Sequence, residues 1–368
     1  MNAFKYGCSV DGENFCARPE LSKALRAYVV SGQNLVIQGE RRIGKTSLVK
    51  ETVLSMRGWS MVYADFMGVR SVSDVCNRWA DALARFDSSD TFLRKMFATL
   101  LHLRPIATVD AMTGLPTITI DARACVDPAS VNTMMNALES HVKGRKVCVV
   151  FDEFQDVLDL NDGNQVFALM RSRIQFMART TFVFLGSVRN RMLDIFMSPK
   201  SPFYKSAALF DVGAIPDDDF YEFAVERFAT GRRKLPRALF DRVLSLAERT
   251  SGDVQEFCDA IWQVSDRGDT LTDNHFEQGL RQIFHREGAA YSTFVKPLTD
   301  IQVRVLHALS VEGGKHPSAN AFLQEARVTN VTSVKRALVA LEKSGLVYRY
   351  SGEWKFVSPF FREWVRRR

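Results

Sequence analysis

The run Gly39-Glu40-Arg41-Arg42-Ile43-Gly44-Lys45-Thr46-Ser47 carries the spacing G-x-x-x-x-G-K-[ST] of a phosphate-binding loop. Asn34-Leu35-Val36-Ile37-Gln38 before it reads as a short buried strand, and the residues from Ser47 onward carry helical periodicity. A strand, a glycine-rich turn and a helix N-terminus gather unpaired backbone N–H groups into an anion site. Lys45 is expected to reach the β- and γ-phosphates of a nucleoside triphosphate, and the Thr46 hydroxyl to ligate Mg²⁺.

A second constellation completes that chemistry. Val149-Val150-Phe151-Asp152-Glu153 is an apolar strand ending in paired carboxylates. Such a strand is expected beside the one leading into the loop. Asp152 would then hold Mg²⁺ through water, and Glu153 would polarise a water for attack on the γ-phosphate. The plainer alternative is a strand end whose carboxylates cap a helix starting at Phe154. Phe182-Val183-Phe184-Leu185-Gly186-Ser187 is the next strand, and Ser187 is placed to sense the γ-phosphate or orient the water. Arg171, Arg173, Arg189 and Arg191 lie nearby, yet each also fits a solvated basic face, so none is singled out as an arginine finger.

These residues need a frame. A helix is expected over 19–31, and strands over 61–66, 147–151, 182–185 and, more weakly, 208–212. Continuous apolar strands alternating with helices indicate a parallel sheet covered on both faces. Ile106-Ala107-Thr108-Val109 and Thr117-Ile118-Thr119-Ile120 alternate around Thr113-Gly114-Leu115-Pro116, which predicts a β-hairpin inserted before the strand at 147. From Pro216 the pattern turns helical, with helices over 217–230, 236–250, 253–266 and 272–287. Pro236 suits a first turn, and Ser251-Gly252 reads as a break before an N-cap at Asp253.

Residues 296–300 read as a linker into a last module: helices over 300–310, 318–325 and 331–344, then strands 346–350 and 354–357 around Ser351-Gly352-Glu353. Three helices and a hairpin make a winged helix-turn-helix. From residue 296 on, thirteen Lys and Arg face six Asp and Glu, an excess of seven that equals the net charge of the whole 368-residue chain. A basic excess confined to one module points to an anionic partner. Helix-turn-helix proteins set the third helix in the major groove of duplex DNA, so Lys335 and Arg336 on that helix and Arg349 and Lys355 on the wing are the candidate nucleic-acid contacts. Lys343 and Arg366-Arg367-Arg368 add to the charge. Winged helices also dock proteins, and the third helix carries little Asn or Gln for reading bases, so a protein partner or a homo-oligomer stays open.

The composition, 46% hydrophobic and 25% charged, is that of a globular chain. No apolar run is long enough to span a bilayer and no signal-peptide layout opens the chain, so a cytoplasmic protein is expected. Six cysteines and six histidines are scattered without zinc-ligand spacing.

The pattern resembles the archaeal-type ATPases, of the STAND branch of AAA+-like P-loop proteins. Gly12-Glu13-Asn14-Phe15-Cys16-Ala17-Arg18-Pro19-Glu20-Leu21 is similar to their F-x-G-R-x-x-E-L lead-in, with Cys16-Ala17 replacing a small residue plus glycine. Arg41-Arg42-Ile43-Gly44-Lys45-Thr46-Ser47-Leu48 resembles their R-R-x-G-K-T-S-L, and Asp152-Glu153-Phe154-Gln155 their D-E-F-Q. Leu185-Gly186-Ser187 and Ser201-Pro202-Phe203-Tyr204 match their sensor strand and proline-containing segment. Ser251-Gly252-Asp253 stands where their lid often has Gly-x-Pro.

The resemblance implies a P-loop ATPase core at 1–215, a helical lid at 216–295 and a winged helix-turn-helix at 296–368. It implies ATP and Mg²⁺ as ligands, with Phe15 and Arg18 near the adenine. The expected function is an ATP-hydrolysing switch coupled to the basic module. The alternatives are a DNA-binding regulator that uses ATP only as a ligand and a protein-interaction scaffold.

Overall fold

The computed structural model describes residues 3–87, 89–109, 116–121, 124, 126–177, 179–187 and 189–368. The chain divides into two compact units, residues 18–213 and residues 1–17 with 214–368.

The first unit is built on five strands: β1 (Leu35–Gln38), β2 (Trp59–Asp65), and, after a hairpin of β3 (Pro105–Val109) and β4 (Pro116–Ile120), β5 (Lys146–Asp152), β6 (Thr180–Gly186) and β7 (Ala208–Asp211). The sheet order is β2-β5-β6-β1-β7, all parallel, and β3 and β4 pair separately. The helices are α1 (Pro19–Ser31), α2 (Lys45–Leu54), α3 (Val72–Phe86), α4 (Asp90–Leu100), α5 (Ser130–Val142), α6 (Gly163–Ile174) and α7 (Arg189–Met197). Every residue of β1 and β6 is buried, and so is all of β5 past Lys146, as expected for parallel strands covered on both faces.

This order corrects one expectation. The carboxylate strand β5 is not beside β1, because β6 lies between them, paired to β1 from Leu35↔Val183 to Gln38↔Gly186. Buried parallel strands share one apolar composition, so their lateral order cannot be read from pattern. The hairpin forms as expected, with Ile120 N–H donating to Asn77 Oδ1 of α3 at 2.6 Å. Its expected turn at Thr113-Gly114-Leu115-Pro116 lies outside the described residues as far as Leu115.

The second unit continues with α8 (Asp217–Ala229), α9 (Arg237–Leu246), α10 (Ser251–Gln263) and α11 (Asp273–Val295). It closes with α12 (Asp300–Glu312), α13 (Asn320–Glu325), α14 (Val331–Lys343), the hairpin β8 (Val347–Tyr350) and β9 (Glu353–Phe356), and α15 (Pro359–Arg366). Three details differ from the sequence reading. Helix α9 ends at Leu246, with Glu248 and Arg249 both at positive φ, and α10 starts at Ser251 behind an N-cap at Thr250, so Asp253 sits inside its first turn. Helix α11 runs on to Val295 because Tyr291 continues its buried face. Residues 296–299 are therefore a tight turn into α12, whose capping box joins Thr299 and Gln302.

Helix α15, absent from the sequence reading, explains the C-terminal aromatics. Ser358 caps it, and Phe360, Phe361 and Trp364 are buried. Phe360 meets Phe257 of α10, and Tyr291 of α11 lies 5.1 Å from Phe361 and 5.6 Å from Trp364. Helices α8–α11 and the winged helix thus share one apolar core. Phe4 joins that core, 4.8 Å from Phe228.

Candidate nucleotide site

The site stands at the carboxyl ends of β1, β6 and β5. Gly39 leaves β1 so close to the next strand end that a Cβ there would lie 2.5 Å from the Val212 carbonyl oxygen. Arg42 takes a left-handed conformation (φ 61°), and Gly44, at φ 91°, caps α2. Left-handed residues alternating with right-handed ones turn backbone N–H groups toward one concavity, and Gly44 does so without a Cβ penalty. Ile43 is buried behind the loop, Glu40 and Arg41 continue it, and Ser47 is buried in the first turn of α2.

Lys45 is 7% exposed, and its ammonium donates to the carbonyls of Gly39 at 3.1 Å and Glu40 at 2.9 Å. Burial pulls its pKa down, and the charges of Glu153 and Asp152 partly restore it. Among the described residues no carboxylate comes within ion-pair distance of it. A buried cation costs several kcal/mol until a full negative charge joins it, which suits this position to a phosphate.

Asp152 is the hub. Its Oδ2 accepts from Thr46 Oγ1 at 2.7 Å and from Tyr63 Oη at 2.8 Å, and its Oδ1 accepts from the Glu153 N–H at 3.0 Å. Burial raises its pKa, the two hydroxyls oppose the rise, and the Glu153 charge adds to it. The Tyr63 hydroxyl is raised as well, by burial and by that same carboxylate. A hydroxyl and a carboxylate in contact are a hard oxygen pair of the kind Mg²⁺ takes when it keeps most of its shell for water and phosphate.

Glu153 is set by a strained turn. It sits at φ 47° directly after Asp152, the last residue of β5; Phe151, one residue earlier, stacks 5.3 Å from Phe66, and Phe154, the next residue, packs 4.7 Å from Phe184. A non-glycine residue in that conformation costs on the order of 1 kcal/mol, held here by the phenylalanines on either side. The residues after Glu153 form a 3₁₀ helix, Phe154–Asp159. The Glu153 Oε2 accepts from Ser187 Oγ at 2.8 Å, from the Ser187 N–H at 3.3 Å and from Gln155 Nε2 at 2.6 Å. Gln155 also donates to Asp156, whose other oxygen accepts from the Gly68 N–H. Ser187 thus acts on the carboxylate of Glu153; where that carboxylate activates water, Ser187→Ala lowers nucleotide turnover about tenfold, the worth of one charge-assisted hydrogen bond, with nucleotide affinity unchanged. Steady-state kinetics beside a nucleotide titration would check this.

Arg18 is 5% exposed and donates to the carbonyls of Ile43, inside the loop, at 2.5 Å and of Gly213 at 3.0 Å. Its guanidinium braces the loop from behind. Arg18→Ala should cost roughly 1.5–3 kcal/mol of stability by leaving those groups unmatched. It should also weaken nucleotide binding, and thermal unfolding with and without ATP reads both effects. Phe15 belongs to the other unit, at the C-cap of the 3₁₀ turn Gly12–Asn14.

Sequence reasoning missed Tyr63, Gln155 as a partner of Glu153, and Lys50, whose ammonium lies 4.1 Å from the Tyr63 ring centre. Only the β2–β5 pairing brings Tyr63 to Asp152, and no local motif carries that. Arg191 is engaged bidentately by Asp159, and Arg173 by Asn136; the Arg189 side chain lies outside the described residues.

In the winged helix, Lys335, Arg336 and Lys343 share one face of α14 with Thr332, Val339 and Ala340, along a shallow cavity of about 340 Å³. Arg349 is exposed on β8. Lys355 is turned inward, 4.0 Å from Glu248, which also takes Arg362. Arg367 is bonded to Glu277 and Glu363. Part of the C-terminal basic excess is therefore neutralised inside the unit, while Lys335, Arg336 and Lys343 on α14 and Arg349 on β8 have no acidic partner among the described residues.

The strand order, the loop and the carboxylates define a P-loop ATPase fold, and the C-terminal elements a winged helix. Among solved structures the chain is similar to a Walker-type ATPase of Pyrococcus abyssi, at 16% identity and a TM-score of 0.63, over 96% of this chain and 97% of that one. It is also similar to the ORC1 protein of Aeropyrum pernix solved in complex with DNA, at 11% identity and a TM-score of 0.52, over 96% and 93% of the two chains. The ORC2 protein of Aeropyrum pernix in its ADP form follows at 14% identity and a TM-score of 0.50, over 95% and 93%. At these identities the likeness is one of fold. A family described as a probable winged helix domain matches residues 289–367. No curated protein matches the chain by sequence. Among the described residues no helix is long and apolar enough to cross a membrane.

Proposed function

We propose that the protein is an ATP-hydrolysing switch whose nucleotide state is read out by a winged helix that contacts duplex DNA. The observation that carries the reading is the single hydrogen-bonded cluster of Thr46, Asp152, Glu153 and Ser187 beside the buried Lys45. Lys45 and the N–H groups of the Gly39–Thr46 loop bind the phosphates. Thr46 and Asp152 hold Mg²⁺, which when bound neutralises charge on the phosphate oxygens. Glu153 takes the proton of the attacking water at its carboxylate, and Ser187 and Gln155 orient that carboxylate. Arg18 enters this reading through its brace on Ile43.

Of the domains expected from sequence, the lid at 216–295 and the winged helix at 296–368 share a core, so on this reading they respond to nucleotide as one body. DNA contact draws support from the unpaired cations on α14 and β8, and from the DNA in the ORC1 neighbour's structure. Lys335→Ala and Arg336→Ala should each flatten the salt dependence of DNA affinity by about one unit of slope. Lys355→Ala should leave that slope unchanged, since Lys355 faces Glu248. DNA titrations across a salt series, with and without ATP, test the proposal; affinity independent of both salt and nucleotide would favour a protein-docking role for the module. The proposed setting is the cytoplasm.

A further inference from the structure

Among the described residues the Asp152 carboxylate accepts three hydrogen bonds, divided unequally between its oxygens. Oδ2 accepts from the Thr46 hydroxyl at 2.7 Å and from the Tyr63 hydroxyl at 2.8 Å, while Oδ1 accepts the Glu153 N–H at 3.0 Å. An ionised carboxylate offers about four lone-pair sites, two on each oxygen. Both sites of Oδ2 are therefore taken, and one site of Oδ1 is left.

Two of the three donors come with the phosphate loop and with the backbone beside Asp152. Tyr63 comes from elsewhere. It is a half-buried residue of β2, carried to Asp152 by the parallel register that sets Asp65 beside Asp152. The Lys50 ammonium, from α2, lies 4.1 Å from its ring centre, and a cation on the ring face helps to fix the ring. The Tyr63 hydroxyl is thus a second, independently held donor on the oxygen that Thr46 already uses.

This division restricts what Asp152 can give a metal. Mg²⁺ takes one or two carboxylate contacts and keeps several waters, whereas Ca²⁺ gathers about six to eight oxygens and readily takes both oxygens of one carboxylate. With Oδ2 filled, Asp152 can make one contact through Oδ1 but cannot chelate through both oxygens. Loss of the Tyr63 hydroxyl would reopen a lone pair on Oδ2 and make chelation available.

We propose that Tyr63 determines metal specificity: its hydroxyl closes Oδ2 of Asp152 and so selects Mg²⁺ over Ca²⁺ as the ion that accompanies the triphosphate. The proposal rests on the reading of Thr46 and Asp152 as the metal pair. Tyr63 acts through Asp152, as a positioning residue. Partners hydrogen-bonded to metal-binding carboxylates commonly change metal affinity by about 10–100-fold.

Calorimetric titration of the full chain with the non-hydrolysable analogue AMP-PNP, in excess Mg²⁺, in excess Ca²⁺ and in EDTA, tests it. The parent should bind the Mg²⁺ complex more tightly than the Ca²⁺ complex. Tyr63→Phe keeps the ring and loses the hydroxyl, so it should shrink that ratio about tenfold, the worth of one charge-assisted hydrogen bond, with affinity in EDTA unchanged. Tyr63→Met, which also lacks the hydroxyl, decides the matter if Tyr63→Phe does not fold. An unchanged ratio would overturn the proposal, as would a parent without preference for Mg²⁺. A fall in all three affinities together marks a structural role and would overturn it too. Asp152→Asn separates these outcomes from the underlying reading: it should remove the gain that Mg²⁺ brings over EDTA. A gain as large as the parent's would take Asp152 out of the metal site, and the proposal with it.

Discussion

Replacing Glu153 by Gln should lower ATP turnover by about 10²–10⁴-fold, the usual worth of a positioned general base, while leaving ATP affinity close to that of the parent. The change spares the rest of the cluster. Glu153 Oε2 accepts three hydrogen bonds, from Ser187 Oγ and N–H and from Gln155, and a glutamine oxygen can accept the same three. The turn at φ 47° is fixed by Phe151 and Phe154, which the substitution does not touch. Thr46 and Asp152, the proposed metal pair, are left in contact. Only the proton acceptor is lost. Single-turnover kinetics beside a nucleotide titration separates the two quantities. If the parent and Glu153→Gln turn over equally, Glu153 is a strand-end cap and not the base; if neither turns over, the protein uses ATP as a ligand only.

Lys45→Ala should act on the other quantity and weaken ATP binding by about 10–100-fold, the span of one charge-assisted hydrogen bond to a phosphate. Here the substitution should not harm the folded protein. Lys45 is buried against two carbonyls with its charge disfavoured by burial, so removing it relieves a desolvation cost that the phosphates otherwise offset. The expected signature is thus opposite in sign for the two states: thermal stability without nucleotide equal to or above the parent's, and little further rise when ATP is added. Thermal unfolding with and without ATP reads both at once. An ATP-dependent rise as large as the parent's would remove Lys45 from the site.

How far these residues could be read from sequence depended on how local their geometry is. The loop from Gly39 to Thr46 is legible because glycine at one end and a lysine-bearing helix start at the other are set by backbone conformation over eight residues. Asp152 and Glu153 are legible because the apolar run from Val147 to Phe151 ends on them. The position of β5 one strand away from β1 was not legible, since Phe182-Val183-Phe184-Leu185 could fill either slot. Tyr63 was hidden for the same reason. It looks like a strand residue of β2 until the β2–β5 pairing brings it to the Asp152 oxygen that Thr46 also touches.

In the C-terminal unit the helices were visible, and their ends were not. Thr250 rather than Asp253 caps α10, because two left-handed residues, Glu248 and Arg249, end the preceding turn early. The terminal arginines, read from sequence as free charge, are divided by helix α15. Arg367 faces Glu277, while Arg368 lies over Trp364. Net charge located the basic module; only the pairing tells which cations remain for a partner.

The most direct test of the central claim is steady-state ATP turnover by the purified chain, with and without duplex DNA at low salt. Mg²⁺-dependent turnover is expected, lost in Glu153→Gln, at a rate that changes when DNA is added. Turnover that is absent in the parent chain, or present equally in Glu153→Gln and indifferent to DNA, would contradict it.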